Sequence, residues 1–415
     1  MNAQAPVRGT ELAAGGRSLG FAPQWLTRVW SGGIDRIIAR LDAGIVRGSI
    51  EGVLPDGTVR LVGGRQPGFQ ARVVLHDPRA LVRLATSGSV GLYQAWAAGE
   101  WESSDPVALF ALTMDNAAEL GGIGRAKGPW RLVARLLHWL RRNTRRGAVH
   151  NIHAHYDLGN DFYATWLDPT MSYSSARFGV GVSTLEAAQR CKLESIAARL
   201  AGARSVLEIG CGWGSLARQF ADNGAAVTAI SLSDAQLAWA RDRHGAAGID
   251  FRKLDYRDIA GQFDAISSVE MVEAVGREYW PDFFDCIARC LKPGGRAAIQ
   301  YIAIRDDLFD AYARSADFIQ TYIFPGGMLV RESEFRRLAE ARGLEWRDPV
   351  SFGRDYAETL CLWRANFEAA VEQGRLPAGF DLRFIGLWRY YLMYCEGGFR
   401  GGGIDVAQVT LVKRG

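Results

Sequence analysis

"SVLEIGCGWGSLARQFA", Ser205 to Ala221, decides the fold. An apolar strand, "SVLEI", runs directly into a turn holding Gly210, Gly212 and Gly214, and "SLARQFA" then takes helical spacing. Glycines let a backbone approach a ligand closely, and the first turn of a helix offers N–H groups that lack intrahelical partners. The dinucleotide fingerprint is GxGxxG, with an acid about 20 positions on. Here the glycines read GxGxG, Glu208 stands just ahead of them, and the next strand runs into "ISLSDAQ" with no acid at its tip. An acid before the first glycine suits the ammonium end of an amino-acid-bearing nucleotide better than a pyrophosphate.

Outward from this loop the pattern repeats. The apolar stretches "SVLEI", "AVTAI", "IDFRKL", "FDAISSV" and "RAAIQYI" alternate with helical segments, which predicts a doubly wound α/β domain around a parallel sheet. The last stretch, "DLRFIGLWRYYLMYCEGGFRGGGIDVAQVTLVK", adds a helix, a glycine-rich turn and a final strand. Near the N-terminus, "PQWLTRVWSGGIDRIIARLDAG" reads as helical, and "GSIEGVLPDGTVRLVGG" as two strands around Pro55-Asp56-Gly57. "ARVVLHDPRALVRLAT" reads as a strand passing into a helix at Asp77-Pro78. The division expected is a smaller α+β domain over residues 1–120, a connecting helix over 121–150, and a catalytic domain over 151–415.

Size agrees with this division, since 415 residues exceed what one core usually organises. With 48% hydrophobic and 23% charged residues the chain is of globular type. A net charge of +4 gives no case for a nucleic-acid partner. Six cysteines without a repeated CxxC pair argue against a disulfide framework or zinc cage, and fit a reducing cytoplasm. His150, His153 and His155 match no common zinc spacing, so no metal is expected. No signal-peptide core or membrane span is read in the chain. In "AKGPWRLVARLLHWLRRNTRRGAVHN", Trp130, Val133, Leu137 and Leu140 alternate with Arg131, Arg135, Arg141, Arg142, Arg145 and Arg146. Such a segment is either an interdomain helix with a solvated basic face or a surface that docks on anionic phospholipid.

The glycine spacing resembles the first motif of the S-adenosylmethionine (SAM)-dependent methyltransferases, supported by "KLDYRDI" and "LKPGGRAAI". A narrower resemblance follows from "HYDLGNDFYATWLDPTMSYSSARF", "LEIGCGWGSLA", "LDYRDI", "SVEMVEAVG", "YIFPGGML", "FGRDYAETL" and "YYLMYCEGGFRGGGIDVAQV", in that order. Together they resemble the cyclopropane-fatty-acid synthase family, including its mycolic-acid relatives. The resemblance is dense from His153 to Val409 and extends loosely into "LYQAWAAGEWESSD".

The resemblance implies a Rossmann-like methyltransferase domain and SAM as cofactor. Tyr173, Ser174, Gly210, Gly212, Leu232, Gln236 and Asp255 match the family's cofactor contacts, and Glu208, Gly214 and Tyr256 join them from the same motifs. It also implies attack of an unsaturated phospholipid acyl chain on the sulfonium methyl, with loss of a proton to a base. That base is a bicarbonate in the family. Glu273, Ile302 and Tyr356 match three positions of its cradle. Ser175 stands in place of the family's cysteine and Gln300 in place of its histidine, which puts bicarbonate in doubt. Either can hydrogen-bond an oxyanion, but neither titrates near neutral pH. Cys395 coincides with a cysteine considered for the active site, against a plain buried thiol. The product is a cyclopropane or a methyl-branched chain. The partners implied are unsaturated phospholipid chains, an anionic membrane surface touched peripherally at the inner face of the cytoplasmic membrane, and a homodimer. Two other readings stay open: a methyltransferase for another lipid or small molecule, and a degenerate homologue that binds SAM or membrane without turnover.

Overall fold

The computed structural model describes residues 31–121, 158–314 and 316–415, together with 8–10 and 12. The basic run over 126–151 and the histidines at 150, 153 and 155 lie outside the described residues. The described residues form two compact units. One draws on residues 1–141, 305–325 and 378–404, and the other on 142–304, 326–377 and 405–415. This differs from the expected division into 1–120, 121–150 and 151–415, because two later segments fold with the N-terminal unit. The reason is apolar: Tyr93 and Phe110 pack on Phe318, Tyr322, Tyr390 and Tyr394 at ring-centroid distances from 4.8 to 5.4 Å. No helix among the described residues is long and apolar enough to cross a membrane.

The first unit holds a four-stranded sheet in the order β2-β1-β3-β4, from β1 (Arg47–Val53), β2 (Val59–Gly63), β3 (Gln66–Leu75) and β4 (Trp101–Ser103). β1 and β2 pair antiparallel across Pro55-Asp56-Gly57, where Gly57 adopts φ 83° and Asp56 Oδ1 accepts from the Thr58 N–H at 2.9 Å. A glycine is required there because that φ strains any side chain. The helices Arg79–Ala97, Pro106–Asp115 and Leu382–Arg400 are among those that belong to this unit.

The second unit is built on a seven-stranded sheet, order β10-β11-β9-β8-β5-β6-β7. Its parallel part is β5 (Ser205–Ile209), β6 (Ala226–Ser231), β7 (Asp250–Lys253), β8 (Phe263–Val269) and β9 (Leu291–Ile304). An antiparallel pair, β10 (Leu344–Ser351) and β11 (Ile404–Lys413), closes one edge. The strands are near-continuous apolar runs because helices cover both faces of such a sheet. Val206, Ala229 and Ala265 accordingly share a core with Leu216, Phe220 and Leu237 from the helices Ser215–Asp222 and Asp234–His244. β5 pairs with β6 on one side and β8 on the other, so the strand order reverses there. Ligands of open α/β sheets bind at the carboxyl ends of the strands at such a reversal. The glycine loop after β5 and "EMVEA" after β8 meet at that point.

Candidate functional site

The glycine loop is pinned from below. The Gly210 and Cys211 N–H groups both donate to the Ile230 carbonyl of β6, at 3.0 and 2.9 Å. Gly210, Gly212 and Gly214 adopt φ of 82°, 52° and 89°. A Cβ on Gly210 would stand 2.8 Å from Met271 Cγ, whereas one on Gly212 meets nothing within 4 Å. Gly210 thus serves close packing, and Gly212 faces open space above the start of the helix Ser215–Asp222.

Behind the loop Glu208 is buried, and its Oε2 has no hydrogen-bond partner. Burial pushes its carboxyl up to about 8, opposed by the charge of Lys192. An unpartnered buried carboxyl oxygen fits the ammonium end of SAM. Gln236 is also buried: its N–H donates to the Ser233 hydroxyl that caps its helix, and its Oε1 accepts from Ser231. Leu232 is half-buried beside it. Asp255 is bound to Arg257 through two contacts of 2.8 and 2.6 Å, so its carboxylate is already engaged. The Tyr256 ring is buried against Phe283.

The stretch 158–178 lies against this loop. Trp213 Nε1 donates to Asn160 at 2.8 Å, and Tyr163 packs on Trp213 at 5.2 Å. Tyr173 is ringed by Tyr163, Trp166 and Trp363 at 5.3, 5.6 and 5.4 Å. Two residues of the helix Leu185–Arg199 hold this stretch from behind. Gln189 donates to the Ser174 carbonyl, and Lys192 Nζ donates to the Ser174 hydroxyl, each at 2.9 Å. Lys192 is buried, and burial lowers its pKa to about 8 against the upward pull of Glu270, Asp168 and Glu208.

The feature that sequence reasoning missed is Glu270, the first acid of "SVEMVEAVG". Its Oε1 accepts from the Ser175 N–H at 2.9 Å and from Gln300 Nε2 at 2.7 Å, and its Oε2 accepts from the Tyr356 hydroxyl at 2.8 Å. Gln300 is oriented for this because its Oε1 accepts from Gln408 at 3.0 Å, leaving its Nε2 to donate to Glu270 and, at 3.4 Å, to the Ser175 carbonyl. Glu270 also adopts φ 47°, rare for a non-glycine residue, and its own N–H donates to the Gln300 carbonyl at 2.8 Å. Burial pushes its carboxyl up while the three donors and Lys192 hold it down.

Several expectations change accordingly. Ser175 contributes its backbone N–H, while its hydroxyl donates to the Ala176 carbonyl at 2.9 Å. Glu273 Oε1 takes the Ile302 N–H, and its Oε2 is shut off from solvent without a partner. Burial and the Glu270 charge push the Glu273 carboxyl up to about 8. Tyr356 was expected in a bicarbonate cradle, with Ser175 and Gln300 as replacements able to bond an oxyanion there, but Tyr356, Gln300 and the Ser175 N–H already hold a carboxylate of the chain. Bicarbonate does not fit the cradle as built. Cys395 lies on the helix Leu382–Arg400 of the first unit, and burial raises its pKa, which keeps the thiol protonated. The two acids three positions apart in "SVEMVEAVG" were the available signal, since either could have been the one turned into the cradle.

Comparison with known proteins agrees with this architecture. The family described as mycolic acid cyclopropane synthetase matches residues 143–409. The chain is 37% identical over 389 residues to the tuberculostearic acid methyltransferase UfaA1 of Mycobacterium tuberculosis, covering 88% of this chain and 87% of that protein. It is 32% identical over 347 residues to the cyclopropane-fatty-acyl-phospholipid synthase of Escherichia coli, covering 83% and 88%. Among solved structures, the mycolic acid cyclopropane synthase CmaA1 complexed with SAH and CTAB superposes with a TM-score of 0.60 at 29% identity, over 64% of this chain and 98% of that one. The chain belongs to the mycolic acid cyclopropane synthetase family, a family of SAM-dependent methyltransferases that act on lipids.

Proposed function

We propose that the protein transfers a methyl group from SAM to a carbon of the double bond in an unsaturated fatty acyl chain of a membrane phospholipid. The observation that carries this is the ring of Tyr163, Trp166, Tyr173 and Trp363, set against the glycine loop through Trp213 and next to a hydrogen-bonded carboxylate. When bound, SAM supplies an electrophilic methyl group on a sulfonium. Glu208 would hold its ammonium end, Gly212 would let it approach the loop closely, and Tyr173 and Ser174 would lie toward the sulfonium. Aromatic faces stabilise the cationic sulfonium and the cation left on the chain after methyl transfer. They also exclude water, which would otherwise capture that cation. The reaction ends with loss of a proton to a base.

The two curated relatives are named for different outcomes, one as a methyltransferase and the other as a cyclopropane synthase. Loss of a proton from the new methyl closes a cyclopropane; loss from a chain carbon leaves a methyl-branched alkene. The test is to incubate the protein with methyl-labelled SAM and vesicles of unsaturated phosphatidylglycerol and phosphatidylethanolamine, then analyse the acyl chains by mass spectrometry. Label in the acyl chains is expected. A labelled product that takes up hydrogen over a catalyst is the branched alkene, and one that does not is the cyclopropane. Label confined to headgroups, or no label, overturns the reading. Vesicle substrates also require peripheral membrane contact, for which the basic run up to Arg146 is the sequence feature at hand.

A further inference from the structure

We infer that Glu270 is the base of this enzyme: a carboxylate built into the chain at the place where the family resemblance puts a diffusible bicarbonate. The inference rests on methyl transfer to an alkene as proposed above, and it goes further by naming the proton acceptor.

A carboxylate and a bicarbonate present the same planar pair of oxygens on one carbon. An ionised carboxylate has about four acceptor directions. In Glu270 three of them are filled, by the Ser175 N–H, Gln300 and Tyr356. The remaining direction, on Oε2, is the place for a proton. The donors come from distant parts of the chain, 95, 30 and 86 positions away, and each is itself fixed. Gln300 is held by Gln408, whose Oε1 accepts in turn from Ser195 at 2.8 Å. Tyr356 sits in the first turns of the helix Gly353–Glu372. The left-handed backbone at Glu270 is a strained geometry of the kind that collects at functional sites.

The two replacements noted in the sequence then have a single explanation. Gln300 cannot titrate as a histidine does, and Ser175 turns its hydroxyl away. Neither needs to act as a base when their neighbour is a carboxylate. Glu273 is set apart from this role, with one donor on Oε1 and none on Oε2, and it holds its proton while Glu270 is charged. Lys192, facing Glu270, Asp168 and Glu208, supplies the compensating charge. Gln300, Tyr356 and Gln408 are positioning residues on this assignment.

The step balances within the chain and substrate. The alkene pair forms the new carbon–carbon bond to the methyl, and the methyl–sulfur pair stays on sulfur. A C–H bond then breaks, either on the new methyl, whose electron pair closes the cyclopropane onto the cationic carbon, or on a chain carbon next to the cation, whose electron pair forms a double bond, and the proton passes to Glu270 Oε2. Glu270, now a carboxylic acid, returns that proton to solvent before the next turnover.

The test uses the full chain with unsaturated phospholipid vesicles and methyl-labelled SAM, in buffer freed of carbon dioxide and then with added bicarbonate. Wild-type turnover is expected to be the same in both. Glu270→Gln should lose ~100-fold or more of turnover, the usual worth of a general base, with SAM affinity unchanged within about twofold. Glu270→Gly suits the left-handed turn and empties the cradle, so formate or bicarbonate should restore part of its turnover and neither should alter the wild type. Wild-type turnover that collapses without bicarbonate, or Glu270→Gln turnover near wild type, overturns the assignment. Wild-type protein that labels no acyl chain under either condition instead overturns the proposed function, so the two failures are told apart.

Discussion

Glu270 and Glu273 sit on one turn after β8, and they divide between them a charge and a proton. Glu270 receives hydrogen bonds from Ser175, Gln300 and Tyr356, while Glu273 receives one from Ile302 and is pushed up to about 8 by burial and by the Glu270 charge. Carboxyl groups placed this close do not both ionise readily, and the one with more donors keeps the charge.

The pair sets a pH dependence of stability. Glu273 has its folded pKa raised from 4.5 to about 8, so its contribution is full below pH 4.5 and is lost as pH rises through 8. Glu273→Gln mimics the protonated form and does not ionise. Relative to wild type it should gain on the order of 3 kcal/mol between pH 6 and pH 9, measured by urea unfolding at both values. An unchanged difference between the two proteins would mean that Glu273 is not the group holding the proton.

Glu208 makes a prediction about the cofactor. Burial holds its carboxyl up to about 8, and pairing with the ammonium of SAM lowers it again, so binding releases a proton below pH 8. Affinity should rise from pH 6.5 to 8, and heats measured in buffers of different ionisation enthalpy should differ. Glu208→Gln should weaken binding ~10-fold or more, as expected for loss of a charged hydrogen bond, and flatten the pH dependence. The same slope in the variant would assign the proton elsewhere, with Lys192 the first alternative.

Lys192 is a shared cation for Asp168, Glu208 and Glu270. Lys192→Met keeps much of the volume and removes the charge together with the bond to Ser174. The variant should lose about 3 kcal/mol of stability at pH 7, since it leaves buried carboxylates without their partner. Thermal and chemical unfolding would check this, and a variant as stable as wild type would show those acids to be neutral already.

Gly210 and Gly212 should separate packing from binding. Gly210→Ala drives a methyl into Met271 and should cost about 1–3 kcal/mol of stability. Gly212→Ala meets open space, so its cost is only the strain of the left-handed φ, roughly 1–2 kcal/mol, while its SAM affinity should fall. Calorimetric titration with SAM, run beside unfolding curves, distinguishes the two. Equal SAM affinity in Gly212→Ala and wild type would remove that glycine from the binding surface.

The basic run outside the described residues offers a membrane test. Charge reversal at Arg141, Arg142, Arg145 and Arg146 should weaken sedimentation with anionic vesicles, and more strongly at low salt, where charges act over about 30 Å at 0.01 M before they are screened. Unchanged sedimentation would return the run to a solvated face.

Much of the second unit was legible because its signals are local. "SVLEI", "AVTAI" and "FDAISSV" fall within a few residues of β5, β6 and β8, and the turn after β5 was marked by its glycines. Gln236 kept its place after β6 but turned out buried, because the Ser233 cap brings the start of its helix against Ser231. Gln189 and Lys192 gave no comparable signal. A lysine inside a helix reads as solvated, and only the packing of that helix behind Ser174 shows it buried. The segments 305–325 and 378–404 were read as part of the catalytic domain from the family resemblance, whereas their aromatic side chains pack in the first unit.

The sequence by itself determined the strand–loop–helix site, the cofactor class that Glu208 and the glycines suit, and the two departures at Ser175 and Gln300. Tertiary structure alone decided what those departures mean. Periodicity and turn chemistry act over a few residues, so they can be read along a chain. The cradle around Glu270 is instead closed by partners 30 to 95 positions away, brought together by the order of the strands and a backbone turn at φ 47°. Which of two neighbouring acids faces inward is a property of that packing, and it fixes which of them carries the charge.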